Sequence, residues 1–275
     1  MTKLFRRTAA LTIGTLRLVE LDFSFNIEKS LDREPNTAEI QVYNLSETSR
    51  KAIEQTARQR VQLEAGYQQP AGTRVIFDGD LRKAHSRREG PDVVTEVEAA
   101  DGERAYRTAR VNRSFGAGTS LGSVIQSIGR SLGVGVGNLA ELATQAGFEG
   151  LGQLFSEGTV TSGPAREEFS GLLDSAGIEW SIQDNTLQLL PRGQALAGTA
   201  VVLSSDTGLV ESPSVDSEGV ATAKMLMIPD VFPGRKVQIE SEFVRGLYRV
   251  TKAKFIGSTF GTEWFIEIEG KPIRA

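Results

Sequence analysis

With 275 residues the chain exceeds the usual size of one compact domain, and 39% hydrophobic with 24% charged residues is the composition of a folded protein. The absence of cysteine and the single histidine, His85, exclude disulfides, thiolate nucleophiles, zinc–thiolate and iron–sulfur centres, and any multi-histidine metal site within one chain. A formal net charge of −4 and a pI near 5.4 argue against a protein whose main task is gripping nucleic acid, and no run approaches the roughly 18 apolar residues of a membrane helix.

In chain order, MTKLFRRTAALTIG has basic residues before a short apolar stretch, but Arg6 and Arg7 interrupt it and no signal peptide is expected. LRLVELDFSFNIEKSL (16–31) alternates Leu21, Phe23, Phe25 and Ile27 with Asp22, Ser24, Asn26 and Glu28, the period of a half-buried strand. TAEIQVYNL (37–45) repeats the pattern. SETSRKAIEQTA (46–57) switches to helix, with Ser46 as N-cap and Glu47 in the first turn. RVQLEAGY (60–67), TRVIFDGDLRKAHS and VVTEVEAADG read as strands joined by turns at QQPAG and RREGPD. Closely spaced antiparallel strands with one short helix predict a curled sheet or barrel over residues 1–110.

Residues 111–160 form a second, Gly-, Ser- and Thr-rich segment. TSLGSVIQSIGRSLG (119–133) predicts a helix with Leu121, Val124, Ile125, Ile128 and Leu132 on one stripe, Thr119 at its start and Gly133 at its end. NLAELATQA (138–146) predicts a shorter helix capped by Asn138, and residues 147–163 read as a loop. In the third segment, 161–195, PAREEFSGLLDSAG is a helix with Phe169, Leu172, Leu173 and Ala176 on one face. IEWSIQ and TLQLLP flank the two-residue turn Asp184-Asn185, where Asn tolerates positive φ.

Residues 196–275 return to β-structure and echo the first segment. RVQLEAGY pairs with KVQIESEF (236–243): Arg60 with Lys236, Val61 with Val237, Gln62 with Gln238, Leu63 with Ile239, Glu64 with Glu240 and Tyr67 with Phe243. The following strands, LYRVTKAKFIG and EWFIEIEGK, keep the order and spacing of the first copy. The fold class expected is therefore α+β, mainly β, with two similar barrel-like units at the ends of the chain enclosing two small α-containing units.

Little in the sequence compels chemistry. G-T-S-L-G (118–122) matches the nucleophile-elbow pattern around Ser120, but the only histidine precedes it and a Gly-Ala-Gly stretch stands where an apolar strand should lie. The simpler reading is a helix start. GVGVGN (133–138) is neither a P-loop nor a dinucleotide fingerprint and reads as a turn between helices. RKAHSRRE (82–89) is the most basic stretch, without interleaved aromatics, and reads as a solvated strand end and turn carrying His85. Glu167 and Glu168 adjoin on a helix. Glu96 with Glu98, and Glu267 with Glu269, lie two apart on strands at equivalent places in the two copies, which favours a shared architectural role over a glycosidase pair. No catalytic, cofactor-binding or metal-binding residue is assigned.

The order of segments AEIQVYNLSETSRKAI, TSLGSVIQSIGRSLGV, EEFSGLLDSAGIEWSIQDNTLQLLPRG and MIPDVFPGRKVQIES resembles the baseplate hub proteins of long-tailed bacteriophages and contractile injection systems, the late-control protein D class. LLDSAGIEWSIQDNTLQLLP is similar to that family's third unit, and FPGRKVQI to its Pro-Gly lead into a strand of the last barrel. The resemblance implies a structural, non-enzymatic homotrimer whose two β units per chain make a pseudo-six-fold ring continuing the tail tube. Its implied partners are the tail tube protein, the central spike or tip protein, the tape-measure protein and other baseplate proteins. It also implies passing DNA without specific binding, no cofactor, no membrane insertion, and a place in the virion tail after assembly in the bacterial cytoplasm. The competing readings are a tail-associated cell-wall hydrolase and a spike or tube component of a bacterial secretion system.

Overall fold

A computed structural model describes residues 5–19, 21–55, 59–69, 72–144 and 150–273. The chain begins with β1 (Phe5–Ile13) and β2 (Leu16–Leu18), an antiparallel hairpin. β1 carries no alternating signal because Ala9, Ala10 and Leu11 are buried in succession. The run expected to be one strand from residue 16 is broken, and β3 (Phe23–Ser30) starts anew. In β3 and β4 (Thr37–Tyr43) Phe23, Phe25, Ile27, Ile40 and Val42 are buried while Ser24, Asn26, Glu28 and Gln41 turn outward. Ser46 caps α1 (Glu47–Gln55), its hydroxyl accepting from the Ser49 N–H at 3.1 Å. β5 (Arg60–Gln69), β6 (Thr73–Glu89) and β7 (Asp92–Ala100) follow as a meander. β6 runs further than expected: Arg87, Arg88 and Glu89 are strand residues paired with Val94, Val93 and Asp92. The basic stretch thus belongs to a strand throughout.

A short helix α2 (Glu103–Arg107) leads into β8 (Arg110–Phe115), β9 (Thr119–Ser120) and α3 (Leu121–Leu132). The predicted stripe Leu121, Val124, Ile125, Ile128 and Leu132 is buried, and the N-cap is Ser120 rather than Thr119. β10 (Gly135–Val136) precedes α4 (Leu139–Thr144). Asn138, just before α4, also clamps the Leu189 backbone, its side-chain amide donating to the carbonyl at 2.6 Å and accepting from the N–H at 2.8 Å. After a 3-10 turn at Gly150–Gly152 come β11 (Leu154–Phe155), β12 (Thr159–Pro164), α5 (Ala165–Ser175), β13 (Ile178–Gln183) and β14 (Thr186–Pro191). The loop expected over 147–163 therefore ends in a strand, since β12 pairs with β8 along its whole length; residues 147–149 lie outside the described residues. Asp184 and Asn185 hold φ of +53° and +56°, the two-residue turn their chemistry predicts. The last strands are β15 (Val201–Leu203), β16 (Ser214–Val215), β17 (Ala221–Leu226), β18 (Lys236–Glu240), β19 (Arg245–Ser258) and β20 (Trp264–Pro272).

Two compact units result. The first comprises Met1–Ser30, Asn36–Asp101 and Ala195–Ala275; the second comprises Leu31–Pro35 and Gly102–Gln194. The first unit is built on a 13-stranded sheet in the order β16-β17-β20-β19-β3-β4-β7-β6-β5-β1-β2, with β18 on β19 and β15 on β18. The two terminal segments, expected as two barrel-like units, are thus joined edge to edge through β3 and β19 and share one core. The mainly-β α+β class is as expected. In the second unit α3 and α5 cover the β13–β14 hairpin, and Trp180 stacks on Tyr106 and meets Phe169 edge-on. Burying each such side chain contributes about 1.5–3 kcal/mol.

Candidate assembly surface

The residues singled out for chemistry do not converge. The Ser120 hydroxyl accepts from the Ser123 N–H at 3.3 Å and lies 2.9 Å from the Ser123 hydroxyl, so it caps α3. His85 is on β6, in the other unit, with Nδ1 3.5 Å from Glu96. Glu167 and Glu168 sit in the first turn of α5, where the helix dipole favours negative charge. The glycines of GVGVGN let β10 lie parallel against β14: a Cβ on Gly137 would stand 2.2 Å from the Leu187 carbonyl oxygen. Among the described residues no group of three or more metal-ligating side chains is placed to hold an ion.

What the structure does bring together is the repeat. β5-β6-β7 and β18-β19-β20 are antiparallel meanders of the same order. Each carries one extra residue at the same place: the register slips between Leu81 and Lys83 against β7, and between Val250 and Lys252 against β20. A β-bulge is a local, position-specific irregularity, so its recurrence fixes the alignment of the copies. Beyond it Lys83 faces Glu98 as Lys252 faces Glu269, Ala84 faces Val97 as Ala253 faces Ile268, and His85 faces Glu96 as Lys254 faces Glu267.

The alignment extends to strands whose sequences share little. β4 lies on β7 and β17 on β20, matching Ala38, Ile40 and Val42 to Ala221, Ala223 and Met225, all buried. β3 lies on β4 and β16 on β17, matching Asn26 and Ile27 to Ser214 and Val215. Each copy is therefore a five-strand unit. The copies also differ: β5 slips against β6 between Leu63 and Glu64, whereas the equivalent Ile239 and Glu240 stay in register on β19. α1 has no helical counterpart, and β1 is antiparallel to β5 whereas β15 is parallel to β18. Val61, Leu63, Val237 and Ile239 are buried as the echo requires, but Tyr67 and Phe243 part company. Tyr67 is buried, and Phe243 is 75% exposed because β18 ends at Glu240.

One face of this sheet is charged across both copies. Direct pairings place Glu98 beside Glu39 and Lys83, and Lys254 between Glu28 and Glu267. Lys254 donates to Glu28 at 2.8 Å, and this bond holds its ammonium pKa above the ordinary lysine value. Lys224 is raised in the same way by Glu211 at 2.7 Å. Such exposed pairs contribute little stability each. Their effect is a surface of mixed sign.

Comparison with known proteins places these features. The sequence profile described as Baseplate hub gp41 matches residues 9–270. A search of curated protein sequences returned no match. Among solved structures the fold is similar to the 43 kDa tail protein of prophage MuSo2 from Shewanella oneidensis, at TM-score 0.64 and 10% identity over 97% of this chain and 98% of that one. It is similar to a tail protein from Neisseria meningitidis MC58, at TM-score 0.65 and 8% identity over 97% of each chain. It is also similar to the E. coli c3393 protein, a type VI secretion system component described as structurally similar to the T4 tail proteins gp27 and gp5. That match has TM-score 0.59 and 10% identity over 96% of this chain and 77% of that one.

Proposed function

Because the chain belongs to the Baseplate hub gp41 family, whose members are structural proteins of the phage tail, we propose that it acts as a homotrimer, three chains supplying six β-copies to a pseudo-six-fold ring. The observation that carries this reading is the shared bulge. A chain that repeats a five-strand unit down to the position of one extra residue presents two nearly equivalent building blocks, which is what a ring of higher apparent symmetry needs from three subunits. One end of such a ring can stack on a six-fold tube while the other keeps the three-fold symmetry of a spike.

In this reading the first unit meets the tail tube protein. The second unit, with its separate core, meets the central spike or tip protein. The tape-measure and other baseplate proteins contact the ring's remaining surfaces. The charged sheet face lines the passage, where interspersed carboxylates keep DNA from adhering. The four sequence segments 1–110, 111–160, 161–195 and 196–275 act as two ring-forming and two spike-facing parts. The protein has no hydrolytic role, and its site is the virion tail after assembly in the host cytoplasm. Native mass spectrometry tests the central claim: a species of three times the 29.7 kDa chain mass is expected, and a monomer at micromolar concentration overturns it.

A further inference from the structure

The first copy sets two residues of the echo against arginines that the second copy lacks. Glu64 of β5 is held by Arg17 of β2 at 3.2 Å. Tyr67, further along β5, lies opposite Arg7 of β1 and is buried. β1 reaches this far because it runs beside β5 from Val61 to Gln69. The counterparts of Glu64 and Tyr67 are Glu240 and Phe243. Here the neighbouring strand is β15, which pairs with β18 only as far as Leu203 opposite Ile239. Among the described residues no strand continues beside Glu240 on that side, and neither Glu240 nor Glu242 makes an ion pair.

Past the end of β15 the surface is concave. A groove of about 570 Å³ is lined by Ser205 and residues 209–213 on one side and by residues 240–243 with Arg245 on the other. All of them belong to the first unit. Its apolar surface includes Val210, 50% exposed, and Phe243, 75% exposed. Its charge comes from Glu211, Glu240 and Glu242 against the single guanidinium of Arg245. Lys224 holds Glu211 at 2.7 Å. Arg245 lies opposite Glu240 in register, yet its Nε donates to the Ser241 carbonyl at 3.1 Å. The hairpin tip is fixed by Ser241, whose hydroxyl accepts from the Val244 N–H and donates to the Val244 carbonyl, both at 2.9 Å. A held turn that shows an aromatic ring beside unpaired carboxylates suits a cation carried on an apolar stem, which can stack on the ring and pair with the acid.

We infer that this groove docks a separate protein through an extended segment carrying basic residues between small apolar ones. Its arginine or lysine side chains meet Glu240 and Glu242, and its apolar positions cover Phe243 and Val210. The first copy already shows this chemistry within the chain, where Arg6, Arg7 and Arg17 flank Ala9, Ala10 and Leu11 beside β5. A second copy of this chain does not supply the segment, because its own FRRTAALTI is engaged on its own β5. The inference goes beyond the ring reading and concerns a site complete within one chain.

The probe is a fluorescent peptide with the sequence of residues 5–18, FRRTAALTIGTLRL, titrated against the full chain by anisotropy. Saturable binding is expected, and it should weaken as salt rises. Glu240→Lys/Glu242→Lys should weaken it by about tenfold or more, and Phe243→Ala by about fivefold. All three side chains are exposed, so the core is untouched. A peptide with glutamate in place of Arg6, Arg7 and Arg17 should not bind the parent chain but should bind Glu240→Lys/Glu242→Lys, a charge swap that a misfolded variant would not give. Glu98→Lys, outside the groove, should leave binding unchanged. No saturable binding, or binding that survives Glu240→Lys/Glu242→Lys, overturns the inference. Native mass separates a second copy from a separate partner. Glu240→Lys/Glu242→Lys is expected to keep the parent's oligomeric mass, and a loss of that mass would make the groove a contact between copies and overturn the inference. A parent chain that is monomeric yet binds the peptide overturns the ring and leaves this docking site standing.

Discussion

Lys252 lies 3.3 Å from Glu269 across a bulged pairing of neighbouring strands, and Lys83 stands in the same relation to Glu98, 3.9 Å apart, across the same bulge one copy earlier. Both lysine side chains are more than half exposed. The pairs therefore serve as markers of register more than as sources of stability. Lys83→Ala and Lys252→Ala should each cost under about 1 kcal/mol. Urea denaturation of the single and double variants measures this, and a loss several times larger would mean that the bulge itself depends on the pair.

The shared sheet makes the copies one folding unit. Leu63→Ala and Ile239→Ala should each cost about 2–5 kcal/mol, because both side chains are buried in the same core. Asp at any of Val61, Leu63, Val237 or Ile239 should unfold the whole first unit, since an unpaired charge would be placed in a dry interior. Calorimetry is expected to show one shifted transition for this unit whichever copy is altered. Separate transitions for residues 60–100 and 236–270 would contradict it.

Gly257 sits opposite Phe25 where the copies join, and a Cβ there would come within 2.2 Å of the phenyl ring. Gly257→Ala should cost about 1–3 kcal/mol by overpacking. Adding Phe25→Leu, which withdraws the ring, should recover part of the loss. A strictly additive double variant would show that the glycine is needed for another reason.

Ser120→Ala removes the cap of α3 and should cost the second unit about 1 kcal/mol. Neither the parent chain nor the variant is expected to cleave peptidoglycan or a model ester. Turnover in the parent that disappears in the variant would replace the structural role with an enzymatic one.

In the second unit Arg33 holds Asp174 through two hydrogen bonds to its two carboxylate oxygens, with Arg192 nearby. The hydrogen bonds from Arg33 lower the Asp174 pKa below its ordinary value. A carboxylate lowered in the folded state adds stability above its unfolded pKa and loses it as pH falls through the folded one. Stability of this unit should therefore decline below about pH 4, the ordinary aspartate range. Arg33→Ala should flatten that decline, as measured by melting temperature against pH. An unchanged slope would assign the acid sensitivity to other carboxylates.

Local physics was legible in the chain. The stripe of α3, the Ser46 cap, the Asp184-Asn185 turn, the alternation of β3 and β4 and the echo of RVQLEAGY in KVQIESEF each depend on residues within one turn, one strand or one repeated segment. The family resemblance rested on the same segments. β1 escaped because burial of Ala9, Ala10 and Leu11 in succession erases the period of two. β16 and β17 escaped because Ser214, Thr222 and Ala223 match Asn26, Glu39 and Ile40 only in their pairings and places on the sheet. Which strands become neighbours was decided by the tertiary structure alone. Backbone pairing is almost blind to side-chain identity, so no local pattern tells β3, paired on one side with β4, to take β19 of the other copy on its second side.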